Sequence, residues 1–232
     1  MKLLLTCEHG GNEIPENYLN LFLGFEDVLT THRGFDPGAL DLFRFLGPLS
    51  NFELYSTTSR LLVELNRSLH HAALFSEITK SLFRSEKEEI LASYYLPYRK
   101  QVEEKINRWL KEGESVVHIS VHSFTPILEE ITRNADIGIL FDPSRADEKL
   151  LAKSWKGNLK ILAPHLRVRF NYPYKGTADG FTTYLRKKFP ENYIGIELEV
   201  NQKFTNNNEM KIDIKNTIFK SVQDEIRRRQ KE

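Results

Sequence analysis

The sequence predicts a three-layer α/β/α fold, a single domain over residues 1–232 with a mostly parallel or mixed central sheet, and three observations predict it. Short apolar runs alternate with helical periodicities along the chain, the pattern of a sheet covered on both faces. Three of those runs end in histidines or carboxylates, and ligand sites of open α/β sheets lie beyond the carboxyl ends of strands. At 232 residues, 40% hydrophobic and 11% aromatic, the chain is long enough for one substantial core.

In order, residues 3–7 read as a buried strand, followed by a glycine-bearing loop from His9 to Pro15. Residues 39–46 carry Leu40, Leu42, Phe43 and Leu46 at helical spacing, completing a βα unit. Residues 52–56 and 61–64 read as short strands on either side of a turn. The longest helical pattern spans residues 86–111, with Leu91, Tyr95, Tyr98, Val102, Ile106 and Leu110 on one side. Pro97 is expected to kink or split it, and Gly113 to cap its end. Strands follow at 116–121, 137–141, 168–170 and 193–200, with helices around 149–155 and 182–188 and a last one through Ile214, Ile218, Val222 and Ile226.

Charge and composition exclude several roles. Thirty-three basic against 32 acidic residues leave a net charge of +1, so no bulk field draws the protein to nucleic acid or an anionic membrane. The lone cysteine, Cys7, permits no internal disulfide and fits a reducing compartment. The apolar start stops at Thr6, short of a signal-peptide core, and no run approaches a membrane span, so a cytoplasmic setting is expected. The Arg227-Arg228-Arg229 end reads as a solvated helix terminus.

Chemistry concentrates at the strand ends. His9 precedes Gly10-Gly11, where backbone can approach a ligand closely. His118, Ser120 and His122 share one face of their strand; His122, nearest the carboxyl end, is the better ligand, and His118 the better core or supporting histidine. His70, His71 and His165 read as structural or exposed. Asp36 precedes Pro37 ahead of a helix, so it is either an N-cap or the oxygen ligand of a mixed site, with His32 a further candidate. Glu197 and Glu199 lie two apart in an apolar strand; one of them is placed to be a general base, and the alternative is an ion network with Arg167, Arg169 or Arg186. Arg60 and Asn66-Arg67 flank an apolar segment and could hold a substrate carboxylate, or lie in surface ion pairs. Asn171 either adds a donor to that pocket or serves as a plain turn residue.

Together the blocks at 7–15 (CEHGGNEIP), 32–39 (HRGFDPGA), 59–68 (SRLLVELNRS), 121–126 (VHSFTP), 136–143 (DIGILFDP) and 195–202 (GIELEVNQ) resemble, in order, the N-formylglutamate amidohydrolase family. The resemblance covers residues 3–203 and implies a zinc carboxypeptidase-like α/β/α hydrolase that cleaves a linear amide bond. It implies one Zn²⁺ on His9, His122 and a third ligand, Glu199 rather than Glu197 as the base, and Arg60, Asn66 and Arg67 on the carboxylate of a small acidic N-acyl amino acid such as N-formylglutamate. One departure stands out. Zinc carboxypeptidases carry His-x-x-Glu, whereas here Asn12 stands three residues after His9 and Glu13 one further on, which leaves the third ligand among Asp36, His32, Asn12 and Glu13. A peptidase or cell-wall amide hydrolase, and a metal-free carboxylate-binding module, are the alternatives.

Overall fold

A computed structural model describes residues 1–230. Six strands form one sheet: β1 (Lys2–Cys7), β2 (Phe52–Tyr55), β3 (Val116–Phe124), β4 (Ile137–Leu140), β5 (Val168–Phe170) and β6 (Tyr193–Asn201). Their order is β2-β1-β3-β6-β4-β5; all neighbours are parallel except β6 and β4, so the sheet is mixed. Helices α1 (Ala39–Leu46), α2 (Arg84–Ile90), α3 (Leu96–Lys111), α4 (Ala146–Leu162), α5 (Phe181–Lys188) and α6 (Ile212–Arg229) cover both faces.

The alternation of strand side chains decides where the site forms. One face of the central strands is apolar throughout: Leu3, Leu5, Val117, Ile119, Val121, Ile196, Leu198 and Val200 pack against α1, α4 and α6. The other face changes character along its length. It begins with Leu4, Val116 and Tyr193 against α3 and α5, then turns polar through Thr6, Glu8, Ser120, His122, Glu197 and Glu199 as the strands reach their carboxyl ends. Register aligns this polar half, with Ser120 beside Glu197 and His122 beside Glu199 on adjacent parallel strands.

One strand expectation needs correcting. Residues 61–64 do not form a strand; they belong to a buried irregular segment. Its backbone carbonyls are satisfied by side chains instead of a neighbouring strand: Thr79 Oγ1 donates to Leu61 and Leu62, Ser76 Oγ to Leu61, and Arg99 to Leu65. The long helical pattern is split, as Pro97 demands, but by widening: a π turn at Leu91–Tyr95 links α2 to α3, and Pro97 lies in the first turn of α3, where a missing N–H costs little. Gly113, at φ +79, follows the end of α3 in the left-handed conformation glycine adopts freely. The helix around 149–155 is longer than its periodicity indicated, and β3 runs three residues further, to Phe124.

His118 is fully enclosed beneath the polar half, its Nε2 2.7 Å from Thr6 Oγ1 and its Nδ1 2.7 Å from the Tyr193 hydroxyl. Burial pushes its pKa down to about 4, only partly offset by Glu8. Because the unfolded chain then takes up the proton first, stability is complete above pH ~6.5 and is lost as pH falls towards ~4, by about 3 kcal/mol for this group. Urea melts at pH 7 and pH 4 should therefore show the wild type losing about that much more than His118→Asn. Equal losses in the two proteins would remove His118 as the source. The acid losses of Glu8, Asp36 and Glu64, whose carboxyls are held below their ordinary range, begin at lower pH and are common to both.

Candidate active site

Two loops bring His9 and Asp36 together. The Gly10 N–H donates to Ser56 O at 3.0 Å and Glu13 N–H to Thr57 O at 2.9 Å, laying the chain after β1 directly on residues 56–57. A Cβ on Gly11 would stand 2.6 Å from Thr57 O, so the contact requires glycine. From the other side, Asp36 N–H donates to His9 O at 2.9 Å. Asp36 is not the N-cap of α1: Gly38, at φ +82, holds that position, and the aspartate side chain turns inward.

His9, Asp36 and His122 converge, all buried. Asp36 Oδ2 lies 3.3 Å from His9 Nδ1 and 2.9 Å from His122 Nδ1. The opposite ring nitrogens are occupied. His9 Nε2 is bonded to Glu64 Oε1, and His122 Nε2 lies 2.8 Å from Ser120 Oγ and 3.3 Å from Glu8 Oε2. Ser120 donates its own proton to Glu8 Oε2 at 2.6 Å, so it accepts from His122 Nε2–H. With both Nε2 protons assigned this way, the two Nδ1 atoms and a carboxylate oxygen that face one another can share a cation or a proton.

The donor set fits a divalent metal. A tetrahedral ion with bonds of roughly 2.0–2.1 Å has ligand atoms about 3.3 Å apart, close to the separations here, and two imidazoles with one carboxylate leave a fourth position open. Carboxylates behind the imidazoles set their orientation and basicity. Burial opposes the charge on His122, but the bonds to Asp36 and Glu8 outweigh it and raise its pKa well above the ordinary value. Burial likewise opposes ionisation of Asp36, yet His9 and His122 hold its carboxyl far below the usual range.

A cavity of about 330 Å³ opens beside this cluster, within the size range of small-molecule sites. His9, Asp36, Arg60, Asn66, Arg67, His122, Glu197 and Glu199 line it, with Tyr174 and Lys175 from the 171–180 loop. Glu199 Oε2 is buried without a hydrogen-bond partner among the described residues. Burial, with Asp36 and Glu197 adding to it, raises this carboxyl to about pKa 8 against the opposing charges of His122 and Arg60. A poised, unpartnered carboxylate next to a metal-ligand cluster is what general acid-base work requires.

Arg60 donates from Nε to Glu64 Oε2 at 2.7 Å and from a terminal nitrogen to Asp36 Oδ1 at 3.3 Å. Its charge thus serves the cluster, and against the cost of burial it helps hold Glu64 below its ordinary range. Asn66 and Arg67 are differently placed. Asn66 Oδ1 accepts from Phe181 N–H at 2.7 Å, which fixes the amide and leaves its NH₂ without a partner among the described residues. Arg67 spends one terminal nitrogen on Asp179 O, and its remaining donors carry no bond among the described residues.

Other sequence candidates lie elsewhere. His32 is exposed and does not join the cluster; the Asn12 amide donates to Leu29 O, and Glu13 accepts from Thr57. Asn171, at φ +49, is absent from the cavity lining: its Oδ1 accepts from the Phe141 and Gly176 N–H groups and secures the loop that carries Tyr174 and Lys175. Neither Glu197 nor Glu199 joins an arginine network, since Arg186 pairs with Glu148, Arg167 with Asp136 and Asn134, and Arg169 stacks on Tyr172. Sequence reasoning missed Glu8 and Glu64. Glu64 is a lone carboxylate in an apolar stretch, the signal that singled out Glu197 and Glu199, and Glu8 stands where the first apolar run ends.

The family model for N-formylglutamate amidohydrolase matches residues 1–205. The chain belongs to the N-formylglutamate amidohydrolase family. No curated protein matches. Among solved structures, a gene product of Agrobacterium tumefaciens is 26% identical with a TM-score of 0.84, covering 99% of this chain and 92% of its own. An N-formylglutamate amidohydrolase from Ralstonia eutropha shares the fold at 17% identity and a TM-score of 0.70, over 98% of this chain and 94% of its own. The segment matched by the amidohydrolase family model contains every residue of the cluster and cavity, and ends before α6, whose role is to cover the apolar face of the sheet.

Proposed function

We propose that the protein is a zinc-dependent amidohydrolase that cleaves the linear amide bond of a small N-acyl amino acid, N-formylglutamate being the example its family suggests. The convergence of His9, Asp36 and His122 on one point, with unpartnered Glu199 in the same cavity, carries this reading. Zinc on those three residues would supply Lewis acidity at the scissile carbonyl. The remaining work belongs to the chain itself. Glu199 takes a proton from the attacking water and delivers it to the departing amine. Arg60, beside Asp36, places positive charge near the carbonyl oxygen where negative charge develops. Free donors on Asn66 and Arg67 hold the substrate's α-carboxylate and set its distance from the reacting bond. A cytoplasmic setting accords with the single, buried, unpaired Cys7, and among the described residues no helix is long and apolar enough to cross a membrane.

The test is a hydrolysis screen of zinc-loaded protein against formyl-, acetyl- and succinyl-amino acids. Release of free amine from at least one series supports the reading, and no release with full zinc occupancy would sink it. The carboxylate grip is tested separately. Arg67→Lys keeps the charge but loses the fork, so kcat/KM for an acyl-amino acid should fall at least about tenfold. Converting the α-carboxylate to an amide should cost the wild type a similar factor and Arg67→Ala much less. Equal losses in both proteins would show that Arg67 does not hold that group.

A further inference from the structure

Arg99, on α3, is 4% exposed and does not line the cavity. Its guanidinium lies over three rings, 4.3 Å from the centre of Phe181, 4.5 Å from Tyr184 and 4.9 Å from Tyr95. Among the described residues no carboxylate pairs with it; Glu103, one turn further along the helix, pairs with Lys188. Burying a charge without a counter-ion is costly, and the rings offset part of that cost. Satisfying backbone acceptors does not by itself call for a guanidinium here, since the neutral hydroxyl of Thr79 serves the carbonyls of Leu61 and Leu62 in the same segment.

What the guanidinium holds sets it apart. Its Nη1 donates to Leu65 O at 3.1 Å and to Arg67 O at 3.2 Å, the carbonyls on either side of that of Asn66. Tyr95 donates its hydroxyl to the same Arg67 O at 2.7 Å. The peptide joining Leu65 to Asn66 is held at both ends, because Asn66 N–H donates to Glu64 Oε1 at 2.9 Å. That oxygen also bonds His9 Nε2, and Glu64 Oε2 accepts from Arg60. A chain of contacts thus runs from Arg99 through one peptide to the metal-ligand cluster. Phe181 meets the guanidinium with its ring and fixes the Asn66 amide with its N–H, while Ser68 N–H and Oγ each donate to Asp179 Oδ2 at 3.1 Å. All these attachments converge on Asn66 and Arg67, the residues with donors left for a ligand.

We propose that Arg99 is a positioning residue for the substrate carboxylate: with Tyr95 it fixes Asn66 and Arg67 at a set distance from the metal-ligand cluster, without touching the ligand itself. The inference rests on the amide-hydrolysis reading of the same site and adds what sets the reach of its carboxylate grip. Bonds from a charged donor hold the two carbonyls more firmly than neutral ones would, and misplacing a binding group by about 1 Å can cost about 10²-fold.

The experiment measures kcat and KM of zinc-loaded wild type, Arg99→Ala, Arg99→Lys and Tyr95→Phe with N-formylglutamate and its α-amide. In Arg99→Ala, KM for the acid should rise about tenfold or more, kcat should fall less than about threefold, and the preference for acid over amide should collapse. Arg99→Lys should recover much of the loss, since an ammonium among the same rings still donates to a carbonyl. Tyr95→Phe should move the acid-to-amide ratio in the same direction by a smaller factor. Acid and amide weakened equally in Arg99→Ala, or kcat lost with KM unchanged, overturns the assignment, because general disruption of the fold has that signature. In parallel, calorimetry follows N-acetylglutamate and its α-amide binding to Glu199→Gln with and without Arg99→Ala. If nothing is hydrolysed but calorimetry shows an acid preference that Arg99→Ala removes, the positioning role stands and the hydrolase reading alone fails. Absence of an acid preference in both assays overturns the proposal. Should Arg99→Ala fail to fold, Tyr95→Phe decides, and a ratio unmoved by loss of that hydroxyl overturns it.

Discussion

Glu199→Gln should lower kcat by about 10² to 10⁴ while the protein keeps its fold and its zinc. The substitution is nearly isosteric and removes only the ability to accept a proton. Stability should hold or rise slightly, because the wild-type carboxyl is buried, has an oxygen without a partner, and is pushed up to about pKa 8. A group already disfavoured in its ionised form costs folding little when it is made permanently neutral. Zinc content, a urea melt and steady-state rates on one preparation separate the outcomes. A large rate loss with metal retained identifies the base. If Glu197→Gln gave that loss and Glu199→Gln almost none, the base would be Glu197 and not Glu199.

The layered fold was legible because periodicity reports burial directly. β1, β3 and β6 are apolar on the face that packs against α1, α4 and α6, so their continuous runs stand out. The segment through Leu61, Leu62 and Val63 shows the limit of that signal. It is as apolar as a strand, but burial under a helical layer with carbonyls bonded by Thr79, Ser76 and Arg99 leaves the same pattern. The reversed direction of β4 was equally invisible, since a four-residue buried run reads alike in either orientation.

At the site, the residues at strand ends were recognisable and their partners were not. His9, His122 and Glu199 announce themselves as polar groups where apolar runs stop. Asp36 remained ambiguous because Asp-Pro ahead of a helix is also a capping pattern; only the backbone bond from Asp36 to His9 turns it inward. Glu8 and Glu64 act through other residues, 114 positions from His122 and 55 from His9 respectively, and sequence spacing carries no trace of such pairings.

His9→Ala and His122→Ala should each lower zinc affinity by at least about 10²-fold, since each removes one of three protein ligands from an ion that structural and catalytic sites alike hold by few bonds. The losses should not be equal in their pH dependence. In the metal-free wild type His122 keeps its proton to unusually high pH, and a metal must displace that proton to bind, so affinity should rise with pH and binding should release protons. His122→Ala abolishes that displacement, whereas His9→Ala leaves it in place. Glu64→Gln should weaken binding by a further distinguishable amount, about 10- to 100-fold, because it disturbs the group behind His9 without removing a ligand. His118→Ala should bind zinc as the wild type does, its ring being bonded to Thr6 and Tyr193 and not to the cluster. Competition with a chelator at several pH values, with proton release read by calorimetry in two buffers, measures all of these. Full affinity in either His9→Ala or His122→Ala would place the metal elsewhere.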